Sequence, residues 1–140
     1  MHAILLLTFY TGAFCLAYED ARTQTVHALL SDGWLLVVLL LTASTATSHL
    51  LPAAVTFILL AGFSILTHGL GSADVIVLIS ITAVVGPTAC LLALLCSSLS
   101  CLLWALFRNC KRVAFIPHLL LGTLLMTALR LLPAVNALFT

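Results

Sequence analysis

Residues 33–73 contain no Asp, Glu, Lys or Arg, and nothing else in this 140-residue chain limits its fold so severely. As one helix the run would be about 60 Å long, against about 30 Å of bilayer hydrocarbon. A second charge-free run, residues 75–107, would be about 50 Å long. Charged residues make up 6% of the sequence, where soluble domains carry about 25%. Such a chain cannot cover an apolar core with polar surface in water. The fold class that follows is all-α: a polytopic helical membrane protein with about four transmembrane helices after an N-terminal signal-like helix, its principal partner the lipid bilayer.

Proline and glycine divide the long runs. Pro52 suits a helix start and disfavours helix at the residue before it, so a break is expected around Ser48 to Pro52. This gives helices over residues 34–49 and 52–68. Gly69, Gly71 and Ser72 make the next turn. Residues 75–107 contain no polar loop and are read as one helix kinked near Gly86-Pro87. A last helix is expected over 113–130. Together, residues 33–140 form the transmembrane bundle.

Residues 1–17 read as a signal peptide or an uncleaved first helix. Small residues at Cys15 and Ala17 make Ala17 a candidate cleavage site, although no Lys or Arg precedes the apolar stretch. Residues 18–32, with Glu19, Asp20 and Asp32 against Arg22, read as a short luminal or external segment. The basic residues Arg108, Lys111 and Arg112 are the topology determinants, because cytosolic loops carry the excess of Lys and Arg. That assignment points to secretory-pathway membranes (endoplasmic reticulum, Golgi or plasma membrane) or a viral envelope.

A net charge of +1 offers no broad basic surface, so nucleic acid is excluded as a partner. There is no nucleotide-binding glycine loop, zinc-peptidase helix motif or serine elbow, and the cysteines lack a paired metal-binding spacing. With Asp74 standing alone at a helix end, no carboxylate pair is apparent. The expectation is therefore no enzyme, no catalytic or metal-binding residue and no cofactor.

Other polar residues suggest different roles. Thr42, Thr45 and His49 recur at helical spacing and could line a pore in an oligomer or serve helix packing. His68 and His118, near expected membrane boundaries, are candidate pH sensors. Cys110, beside the basic cluster, and then Cys101 are candidate palmitoylation sites. Ser97, Ser98 and Ser100 form a small-residue region suited to close helix approach. The layout is similar in class to small viral membrane proteins. The resulting expectation is a small non-enzymatic protein acting by helix association, with itself or with other membrane proteins. It would be a viral envelope or accessory protein or a small subunit of a membrane complex; the alternative is an oligomeric ion-conducting, viroporin-like protein.

Overall fold

The computed structural model describes residues 2–45, 47–67, 71–108 and 114–130. His68, Cys110, Lys111 and Arg112 lie outside the described residues. Six α-helices occur among those described: α1 (His2–Thr23), α2 (Ala28–Thr45), α3 (Leu50–Thr67), α4 (Ser72–Val85), α5 (Pro87–Arg108) and α6 (Phe115–Arg130). A 3₁₀ turn, Thr47–His49, precedes α3. The protein is an all-α polytopic membrane protein. Segments Ala3–Thr23, Ala28–Thr45, Thr47–Thr67 and Pro87–Phe107 are each long and apolar enough to cross a bilayer.

Helix α1 continues unbroken past the candidate cleavage site, and Ala17 is buried in its packed face. The helix ends where Gln24 turns into the left-handed region at φ 53° and its N–H returns to the Asp20 carbonyl at 2.9 Å. That conformation satisfies a carbonyl the helix end would otherwise leave open. The segment expected to be external over 18–32 is thus divided: its first residues complete α1 and its last begin α2.

Residues 75–107 also depart from the single kinked helix expected. The helix stops at Val85, Gly86 takes φ 93°, and Pro87 opens α5. A side chain is strained at that φ, whereas glycine is not. The chain reverses here, bringing the Cys90 thiol to 3.5 Å from the Leu78 carbonyl. Twelve residues along one helix would separate those positions by about 18 Å. A tight glycine-proline turn therefore does what a polar loop does elsewhere.

The other inter-helix contacts fix an antiparallel order. Tyr10 on α1 hydrogen-bonds Thr127 on α6, while Asp20 on α1 meets Ile116 on α6. On α5, Ala93 approaches Gly122, and Ser100 meets His118, both on α6. Consequently the C-terminal ends of α1 and α5 and the N-terminal ends of α4 and α6 share one end of the bundle. His49 and Gly86 meet at the opposite end.

Helix α4 is the centre of the bundle. Nine of its residues, from Val75 to Val85, are buried, including Ser80 and Thr82. Both hydroxyls donate to carbonyls one turn back, Ser80 to Ile76 and Thr82 to Leu78, at 2.9 Å each. This local bond lets polar side chains enter an apolar interior without an orphaned group. Outside it, α3 buries only Ala53 and exposes Phe57, Ile58, Leu59 and Leu66. In lipid these side chains need no protein cover, because hydrocarbon solvates them.

Candidate active site

The chain contains four acidic residues, and the fold brings two of them together from positions 54 apart. Asp20 lies in the last turn of α1, and Asp74 lies in the first turn of α4. Both are partly buried, and the charge of Asp20 acts directly on Asp74.

Each carboxyl is held from the backbone. Gly71, the N-cap of α4, donates its N–H to the Asp74 carboxyl, while the Gly71 carbonyl accepts from Val75 N–H at 3.2 Å. Asp74 thus satisfies part of the open N-terminus of its own helix. The Oδ2 of Asp20 accepts from the backbone N–H of Ile116 at 3.1 Å, in the first turn of α6. Three helices, α1, α4 and α6, therefore fix the pair.

Asp74 lies outside the four segments long enough to span. Burial first, and the neighbouring Asp20 charge second, push its carboxyl up to about 6 against the opposing Gly71 hydrogen bond. Asp74 therefore holds its proton to a higher pH than an ordinary carboxyl does. A carboxylic acid of this kind can protonate a carbonyl oxygen while a second carboxyl near it activates water. The expectation that Asp74 stands alone is corrected here; it treated linear distance as spatial distance.

Glu19, next to Asp20, places Oε1 3.5 Å from His27 Nε2. Its buried Oε2 has no hydrogen-bond partner among the described residues. No group of three or more metal-ligating side chains occurs among those residues.

The residues singled out from the sequence make other contacts, although Ala17, Arg108 and His118 belong to the end of the bundle that carries the aspartates. Thr42 is fully buried, and Thr45 donates to the Leu41 carbonyl at 2.8 Å. His49 sits against Gly86 at the far end of the bundle. His118 Nδ1 pairs with the Ser100 hydroxyl at 2.9 Å, and its ring faces Trp104 with centroids 6.3 Å apart. Cys101 is a partly exposed free thiol, and Arg108 is the last residue of α5. The fold gathers none of these around the aspartates. A signal for the missed site was present: in a chain with so few charges, an ionisable residue next to an apolar run marks a functional position.

The type IV leader peptidase family model matches residues 7–106, a span that contains both aspartates. No individual curated protein and no solved structure matches the chain. The family match overturns the expectation of a non-enzymatic protein acting by helix association, viral or otherwise, and with it the viroporin-like alternative. The expectation of no enzyme came from the absence of soluble-enzyme motifs, but a carboxyl pair assembled between helices leaves no contiguous motif to find. With well over half its length matched, the chain belongs to the type IV leader peptidase family.

Proposed function

We propose that this protein is a membrane-embedded aspartyl peptidase that cuts leader peptides, with Asp20 and Asp74 as its catalytic pair. The observation that carries this reading is the meeting of these two carboxyls at one end of the bundle, within the segment shared with a peptidase family. In the reaction one carboxylate takes a proton from water as its oxygen attacks the scissile carbonyl carbon. The protonated partner donates to the carbonyl oxygen. Collapse of the tetrahedral species breaks the C–N bond, and a proton passes to the departing amine.

The end that carries the pair faces the cytosol. Helix α5 finishes and α6 begins at this end, and Lys111 and Arg112 lie between the two helices in the sequence. Arg108 and these two residues are the chain's only basic cluster, and such clusters mark cytosolic loops. This supports keeping α1 uncleaved, as its interior face packs in the core and its last turn supplies Asp20.

A synthetic leader-bearing peptide supplied from outside tests both parts. Inverted membrane vesicles should cut it, and sealed right-side-out vesicles should spare it. Cleavage should fall as pH rises through about 6, where Asp74 loses the proton the mechanism requires. Cleavage only from the opposite side would reverse the topology, and undiminished cleavage well above pH 7 would remove Asp74 as the proton donor.

A further inference from the structure

We infer that the first turn of α6 is a positioning element of the active site: the backbone N–H of Ile116 fixes the orientation of the Asp20 carboxyl and leaves only its second oxygen to accept the proton from water. This rests on the peptidase reading above and extends it to a helix outside the matched span, since α6 begins at Phe115 and the match ends at residue 106.

The geometry makes α6 more than a packing partner. Asp20 sits four residues before Gln24, at the C-terminal end of α1, where the helix dipole is negative and disfavours an anion. The compensating positive end comes from α6. Its first N–H groups have no acceptor within their own helix, and one of them, Ile116 N–H, is spent on Asp20 Oδ2 at 3.1 Å. Pro117 follows in the same turn, where a missing N–H costs the helix nothing. The Ile116 side chain is buried in the core, and α6 is clamped along its length by Tyr10–Thr127 and Ser100–His118. The donor is therefore held in place before substrate arrives.

The groups that bear on this end are few. On α4, Asp74 feels the charge of Asp20. From α1, Glu19 is engaged with His27, and Arg22 is exposed. On α2, Asp32 is exposed, and on α6, His118 is taken by Ser100. Arg108 ends α5 at the same end, while Lys111 and Arg112 lie outside the described residues. Among the described residues, no charged side chain bonds to Asp20, so the α6 backbone supplies its hydrogen bond.

The test replaces the Ile116 amide by an ester, which deletes the N–H and keeps the side chain, with Ile116→Ala as the converse change. In the full-length protein in lipid vesicles, the ester variant should cut the leader-bearing peptide about 10-fold more slowly at unchanged KM. The carboxyl infrared band that Asp20→Asn removes should shift in the ester variant at one fixed pH, because that carboxyl has lost a hydrogen bond. Ile116→Ala should leave that band and the rate per folded molecule in place even if less folded protein is recovered. An ester variant whose band and rate coincide with the parent's would reduce α6 to a structural cap and overturn the inference. If the parent cuts no leader peptide, the peptidase reading fails instead. The Asp20 carboxyl band then still tests the α6 contact, and an unmoved band in the ester variant overturns the inference.

Discussion

Asparagine at either Asp20 or Asp74 is expected to lower cleavage of a leader-bearing peptide by at least about 10³-fold, and the double variant should be scarcely worse than either single one. Groups that act as a unit lose their whole effect when one is removed, so the losses do not add. Each substitution is nearly isosteric and removes a charge from a poorly solvated site, which keeps the fold intact. Asp32→Asn, on an exposed position of α2, supplies the control and should keep full activity. Single-turnover rates in lipid vesicles read the effect. Losses that multiply in the double variant would mean that the two carboxyls act independently, and retained activity in either single variant would remove that residue from the chemistry.

The largest expected effect on stability comes from Gly122. A Cβ at this position would lie 2.6 Å from the Ala93 carbonyl oxygen on α5, an obstacle that is backbone and cannot rotate away. Gly122→Ala gains up to about 1 kcal/mol in helix propensity but must push α5 and α6 apart, and overpacking of this kind costs about 1–3 kcal/mol. Gly122→Leu should cost more than about 3 kcal/mol by the same mechanism. Gly62→Ala on α3 meets nothing within 4 Å and should be neutral or slightly stabilising. Thermal unfolding in detergent should therefore order the variants with Gly62→Ala highest and Gly122→Leu lowest. Equal midpoints for Gly122→Leu and the parent would show that α5 and α6 are not in close backbone contact. Separation of these helices also loosens the start of α6, so Gly122→Ala should lose activity before it unfolds.

The membrane class of this protein was legible because it depends on local composition: runs such as 33–73 and 75–107 cannot be placed anywhere but in hydrocarbon. Where those runs reverse was less legible. A turn between membrane helices is usually marked by polar residues, and at Gly86-Pro87 none is present. The reversal relies on a left-handed backbone at one glycine, which the sequence permits without requiring. The active site was hidden for a different reason. Asp20 and Asp74 each look like an ordinary charge at the edge of an apolar run, and their relation exists only once α1 packs against α4. The threonine and histidine positions drew attention because they recur along one helix, yet Thr45 uses its hydroxyl on the preceding turn. Periodicity along a helix is visible in one dimension, and a pair contributed by two helices is not.

Oxidative crosslinking of Asp20→Cys with Asp74→Cys, in full-length protein whose native cysteines are replaced by serine or alanine, tests the central claim most directly because it needs no substrate. The two thiols should bridge readily in the membrane, as should Ser100→Cys with His118→Cys, which marks the hydrogen-bonded contact between α5 and α6. Asp20→Cys with Thr45→Cys, placed at opposite ends of the bundle, should not bridge. Failure of the Asp20–Asp74 pair to bridge while Ser100–His118 does would mean that the two carboxyls do not share a site, contradicting the aspartyl peptidase reading.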